Sequence, residues 1–232
     1  MSVNQAGWFL LLLSSAFAAL LHPPQLTRRT TVLGGVVALA ASAEAAESPY
    51  RVAMSVLLNP QEQTHGEIVV EVVPEWAPLA AARFKELVDL GFYTGSRFHR
   101  VLQPFLPGDL AIAQFGISTS RELNEKWLCS TCNRLPDETR KVSNTKGTLS
   151  FAQGSQRGTR QVQVFINLAD NGGIPSFLDS QNFAPFARVV SGMEYLPKLH
   201  AESQVSQPKA AYYGTEYLSA VFPKLSVIEE IR

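Results

Sequence analysis

The sequence predicts a mainly β domain, a sandwich or closed barrel, behind an N-terminal targeting leader. Short apolar runs rich in β formers recur between turn residues, while few stretches show helical periodicity. The first fifty residues differ in character from the rest and read as an address. Of 232 residues, 46% are apolar and 17% charged, enough to build a core for one domain with a leader and a tail. Lysine plus arginine equals aspartate plus glutamate at 20 each, so no clustered positive charge points to a nucleic-acid partner. Apolar runs are too short to cross a bilayer, so no stable membrane insertion is expected after processing. The only cysteines, Cys129 and Cys132, exclude a multi-bridge disulfide framework.

The leader comes first. Trp8 to Leu21 is almost wholly apolar, about one signal h-region long, and carries small residues around Ser14, Ser15, Ala16 and Ala18 suited to cleavage. A second unit follows: Arg28-Arg29, an apolar run from Val32 to Ala41, then Ala43-Glu44-Ala45. That is a twin-arginine start, a short h-region and an A-x-A site. Glu44 is the first acidic residue in the chain. Two tandem signals resemble the leaders of thylakoid-lumen proteins in algae with complex plastids; the alternative is one secretory peptide with a long pro-segment. Residues 1–46 are therefore expected to be removed, leaving 47–232 as the mature domain with a C-terminal extension, in the plastid thylakoid lumen or secreted.

Within the mature domain, Tyr50 to Leu58 and Glu67 to Val73 read as strands, with Asn59-Pro60 and Gly66 bracketing the turn. Pro78 can start a helix and Gly91 can stop it; Ala80, Phe84, Leu87 and Val88 fall on one face between them. Further strands are expected at Phe98 to Leu102, Ala111 to Phe115, Thr148 to Ala152, Val162 to Leu168 and Phe186 to Val190. Met193 to Ala201 reads as a second helix, Ser118 to Thr145 as a polar loop, and the tail from Tyr213 as a short helical stretch before a last strand at Leu225 to Ile228.

Three blocks carry chemistry. Phe98-His99-Arg100-Val101 places one arginine on an apolar strand, where the guanidinium must line a cleft, find a partner or reach solvent. Gly147 to Ala152 is followed by a polar loop and Gln163-Val164-Phe165-Ile166-Asn167. Alternation sets Gln163 and Phe165 on one face and Val164 and Ile166 on the other. An amide beside an aromatic suits an apolar groove with a hydrogen-bonding rim, or ordinary core with a satisfied glutamine. Phe177 to Met193 gives an apolar pair, a polar turn, and a strand ending in Gly192-Met193.

The order and spacing of these blocks, with Ala113-Gln114-Phe115-Gly116 and the tail from Gly214 to Leu225, resemble the cyclophilin family over about 180 residues, in a bacterial and plastid-like branch. The resemblance implies a closed eight-stranded antiparallel barrel capped by two helices, with an active groove on its outer face. It implies peptidyl-prolyl cis-trans isomerase activity on proline-containing polypeptides, in a monomer without cofactor or metal. By motif position it makes Arg100 the catalytic arginine and gives Gln114, Ala152, Gln163, Phe165, Phe177 and Leu178 to substrate binding. The segment from Gln103 to Leu110 is longer than the family pattern. Either Phe105 or Leu110 takes the place of the family's pocket phenylalanine, and Phe105 is preferred because a ring suits a pocket floor.

Other departures matter. Asn182 or Phe183 stands where the family has histidine, and Phe177 replaces a tryptophan, losing its N–H donor; weak binding of cyclosporin-like ligands is therefore expected. His99 is read as structural. Cys129-Ser130-Thr131-Cys132 is half a zinc site at most. It is either a redox pair or a plain loop disulfide or two idle thiols. Two rivals to an isomerase follow: a cyclophilin-fold binding or chaperone module with weak or no turnover, and a thiol oxidoreductase, although no thioredoxin-like pattern surrounds the cysteines.

Overall fold

The computed structural model describes residues 47–106, 108–129, 132–173 and 176–232. The expected leader, 1–46, lies outside the described residues. Strand β1 (Tyr50–Asn59) alternates buried and half-exposed positions, with Val52, Met54, Val56 and Leu58 facing inward. That period of two is what a strand with one buried face requires. β2 (Thr64–Val72) pairs with it antiparallel, register Met54↔Ile68.

Helix α1 (Pro78–Asp89) begins on a proline already fixed in helical φ, and it buries Ala80, Ala81, Phe84 and Leu87. Its N-cap residue, Ala77, offers no side-chain cap. Glu138, about sixty positions on, accepts from the Leu79 and Ala80 amides at 2.7 and 2.9 Å instead. Leu90 closes the helix and Gly91 turns out at φ 65°.

The remaining strands are β3 (Arg100–Leu102), β4 (Ile112–Phe115), β5 (Thr148–Phe151), β6 (Val164–Asn167), β7 (Pro185–Ser191) and β8 (Val227–Ile231). They form one eight-stranded antiparallel sheet in the order β3-β4-β6-β5-β7-β2-β1-β8. The sheet curls until its ends approach. Residues leading into β3 reach β8 through an Arg97↔Val227 bridge, with Gly95 and Phe98 amides donating to Ile228 and Ser226 carbonyls. The expected barrel is thus a curled sheet whose seam is a bridge and a few backbone bonds rather than a full ladder. Inside it the Phe186 ring packs against Phe84 and against Phe151, each with centroids 5.1 Å apart, alongside Phe98, Phe115, Leu149 and Ile166.

Four expectations are corrected. Met193 to Ala201 holds only a 3-10 turn, Leu196–Lys198, because Pro197 removes a helix donor. The loop after Ser118 contains a short helix, α2 (Arg121–Trp127), capped by Ser120, whose side chain accepts from the Leu123 amide. A one-turn helix, α3 (Phe177–Ser180), follows Ser176. The tail helix is longer than expected: α4 (Gln207–Val221) starts behind a Ser206 cap and is interrupted at Gly214.

Candidate active site

β4 and β6 sort their side chains by parity. Ala113, Phe115, Val164 and Ile166 enter the main core, whereas Ile112 and Phe165 form a separate apolar cluster with Leu178 and Phe183, packed by Leu102 and Ala152. This second cluster floors a groove of about 460 Å³ on the outside of the sheet. Cross-strand register then fixes the rim, because Arg100 lies opposite Gln114, and Gln114 opposite Phe165. One row of the sheet therefore carries guanidinium, amide and ring.

The polar members are linked. Gln114 Nε2 donates to Gln163 Oε1 at 2.7 Å, and Arg100 Nη1 donates to Gln114 Oε1 at 3.4 Å. Arg100 is half-buried, and burial lowers its pKa from the usual arginine value. It remains protonated, since a guanidinium does not lose its proton in proteins. Among the described residues no carboxylate pairs with it, so its charge stays available at the groove. Gly116 holds the amide end in place: at φ 113°, a Cβ there would stand 2.7 Å from the Gln163 Cα.

The far wall is α3. Leu178 is buried in the floor at 4% exposure, while Phe177, at 64%, is a rim residue 6.2 Å from the Phe183 ring. α3 is pinned from beneath by Asp179. Its carboxylate accepts from Ser143 Oγ at 2.5 Å, Asn144 N and Nδ2 at 3.0 and 2.8 Å, and Gly173 N at 2.9 Å. Burial alone would raise the Asp179 pKa, but these donors overcome it and hold the carboxyl near 2. Phe183 meets Phe165 edge-on at 5.7 Å and lies under Arg160, whose guanidinium is paired with Asp137.

Arg100, Gln114, Ala152, Gln163, Phe165, Phe177 and Leu178 thus line one groove. Phe105 does not join them. It stands 90% exposed at the tip of the β3–β4 connection, and Leu110 lines the groove instead. The cause is a tight turn, in which Leu106 N donates to Asp109 Oδ2 and Asp109 N to Leu106 O, so that Phe105 falls before the turn and Leu110 after it. At the histidine-equivalent place, Phe183 lines the groove. Asn182, at φ 58°, is spent on the backbone of Glu138 and Arg140. Sequence reasoning missed Ile112 as a floor residue, although strand parity with Gln114 could have found it.

His99 is buried at 1%. Burial pushes its pKa down to about 4, with the nearby Arg97 carbonyl and Gln163 opposing less, so the ring is neutral near pH 7. Cys129 and Cys132 form a disulfide. Their carbonyls accept from Gln161 Nε2 at 2.6 and 2.8 Å, and Gln161 lines the groove, but neither sulfur does. Among the described residues no group of three or more histidine, cysteine or acidic side chains could hold a metal. No described helix is long and apolar enough to cross a membrane.

Comparison with known proteins gives a consistent picture. Residues 57–213 match the family model of cyclophilin type peptidyl-prolyl cis-trans isomerases. A peptidyl-prolyl cis-trans isomerase of Acinetobacter baylyi is 32% identical over 135 residues, covering 58% of this chain and 66% of that protein. Peptidyl-prolyl cis-trans isomerase A of Dickeya dadantii is 30% identical over 148 residues, covering 64% and 72%. In structure, a cyclophilin type isomerase of Cryptosporidium parvum, crystallised in the presence of the dipeptide Ala-Pro, superposes with a TM-score of 0.54 at 18% identity. It covers 78% of this chain and 97% of that one, a likeness of fold.

Proposed function

The chain belongs to the cyclophilin-type peptidyl-prolyl cis-trans isomerase family, and from that premise we propose that its groove accelerates rotation about X-Pro bonds of polypeptide clients through Arg100. The observation that carries the reading is the row Arg100, Gln114, Phe165, which sets a guanidinium with no carboxylate partner among the described residues beside an apolar floor.

An amide resists rotation because resonance sets a barrier near 20 kcal/mol. At the top of that barrier the C–N bond is twisted and the prolyl nitrogen is pyramidal, with a lone pair free to accept a hydrogen bond. Arg100 donates to that nitrogen, a contact absent from both planar ground states, so it lowers the barrier rather than merely tightening binding. Each ~1.4 kcal/mol of such preference is worth tenfold in rate. Ile112, Phe165, Leu178 and Phe183 grip the pyrrolidine ring while the preceding residue turns. Gln163 holds Gln114, and Gln114 orients Arg100. No covalent step is needed, and no proton changes hands.

The reading is tested by exchange NMR on a short peptide with one X-Pro bond. Cross-peaks between cis and trans forms should grow with catalytic amounts of residues 47–232, and shift changes should centre on Ile112, Gln114 and Phe165. Exchange unchanged by the protein, or shifts elsewhere, would overturn it.

Residues 1–46 are further proposed to be a leader that delivers the domain to a thylakoid lumen. The support is the tandem apolar runs and Arg28-Arg29. N-terminal sequencing of protein isolated from the source cells should give a start between Ala46 and Tyr50; an intact Met1 would reject it.

A further inference from the structure

A second cavity, about 500 Å³, lies between α2 and α4. It is lined by Leu128, Arg121, Tyr212, Tyr213 and Glu216, among others, and Leu128 also lines the isomerase groove. Gln207, the first residue of α4, lines that groove too, so α4 borders both sites.

The aromatic side chains here are exposed without being loose. Tyr212 is 81% and Tyr213 59% exposed, yet their rings meet edge-on at 4.8 Å. The series continues through Tyr217 to Phe222, at 6.3 and 5.8 Å. The walls are fastened together. Asn124 of α2 accepts from Ser118 N and donates to Ser118 O, and Thr215 of α4 donates to the same carbonyl at 3.0 Å. Gly214, at φ 68°, breaks α4 beside the two tyrosines, and a Cβ there would press on Asn124 Nδ2 at 3.2 Å. Such a backbone excludes ordinary residues, so the bend that presents Tyr212 and Tyr213 is specified by the sequence.

We propose that this cavity is an accessory site for a proline-rich, polyproline II segment of the same client whose X-Pro bond occupies the groove. Three features select that occupant. Exposed, mutually packed tyrosines form the kind of aromatic-lined surface on which prolyl rings dock, and a polyproline II chain is already extended, so little order is lost on binding. Its carbonyls lack internal partners, and the cavity offers the tyrosine hydroxyls and the terminal nitrogens of Arg121, whose Nε donates to Glu125 at 2.7 Å. The shared wall at Leu128 places the site next to a groove that itself takes proline. The inference rests on the isomerase reading for the identity of the client and on the cavity alone for its chemistry.

The test compares wild type with the double variant Tyr212→Ala/Tyr213→Ala; both side chains are exposed, so the core is untouched, and circular dichroism checks this. Two readouts are used. The first is isomerisation of a short single-proline peptide and of longer peptides carrying the same X-Pro bond plus a proline run at several spacer lengths. Wild type should show a KM about tenfold lower for the best long peptide, from effective concentration. The variant should lose that advantage and keep the short-peptide kcat/KM. The second is fluorescence polarisation with a labelled proline-run peptide and an alanine-substituted control, which reads the cavity even if neither peptide is isomerised. Binding of the proline run by wild type but not by the variant supports the site. Equal binding by both proteins, or equal binding of both peptides, overturns it, as does a KM indifferent to the proline run.

Discussion

Arg100 sits half-buried beside Gln114 with no described carboxylate to neutralise it. A structural arginine in that setting would normally be paired, as Arg160 is with Asp137. What keeps Arg100 in place is a relay of amides that ends at Gln163, and Gly116 fixes the backbone there. Gly116→Ala must push a Cβ into the Gln163 backbone at a φ that alanine resists. It should cost about 2 kcal/mol or more in urea unfolding and reduce kcat more than it raises KM. At the rim, Phe177→Trp restores an N–H donor on an exposed side chain; calorimetry should show cyclosporin-like ligands binding more tightly to it than to wild type. At this scale the sequence was readable by strand alternation for Gln163 and Phe165, while the family resemblance placed Arg100 and Gln114; cross-strand register brings Arg100, Gln114 and Phe165 into one row. It was not readable between Gln103 and Leu110, where a turn rather than a period decides which apolar residue faces inward, and there Phe105 and Leu110 exchanged places.

Among the elements, α3 shows how little helix is needed to shape a groove. Four residues cannot hold a helix by backbone bonds alone. Asp179 supplies the rest by gathering donors from Ser143, Asn144 and Gly173, and Leu178 is carried into the floor as a result. Asp179→Asn replaces one acceptor oxygen with a donor facing other donors. A loss of about 2–3 kcal/mol in chemical unfolding is expected, with a raised KM for peptide substrates as Leu178 loosens. Because the Asp179 pKa falls to about 2 in the folded state against about 3.8 unfolded, its contribution is complete above pH 4 and is lost only as pH falls towards 2. Neither α2 nor α3 was legible in the sequence, since both depend on caps and distant partners rather than on an apolar period. α1 was legible because its apolar period, its starting Pro78 and its closing Gly91 are all local signals, even though its N-terminal cap, Glu138, is not. The stretch from Met193 has apolar spacing that resembles a helix, but Pro197 confines it to one turn.

At the scale of the molecule, the last residues complete the sheet. β8 lies beyond the 57–213 span of the family match, yet it pairs with β1 and takes the seam bridge from Arg97. Beside that seam His99 is held neutral. Its folded pKa of about 4 lies below the unfolded value of about 6.5, so between those limits the unfolded chain binds the extra proton and stability falls as pH falls. At about 1.4 kcal/mol per pH unit, His99 should cost about 2 kcal/mol between pH 6.5 and pH 5. Urea titrations at the two pH values measure this, and imidazole shifts in NMR should show His99 unprotonated at pH 5. A His99 that titrates near 6.5 in the folded protein would contradict it. The mainly β class, sandwich or barrel, was legible from many short strands, and the family resemblance chose the barrel; its seam was not legible, because one bridge leaves no sequence period.

The central claim is that one guanidinium lowers the barrier to prolyl rotation, and comparing Arg100→Ala with wild type measures it most directly. A proline-isomerisation assay on a short X-Pro peptide should show kcat/KM reduced about a hundredfold or more in the variant, with unfolding free energy nearly unchanged, since Arg100 has no ion pair among the described residues. Equal rates for the two proteins, whether fast or at background, would contradict the account.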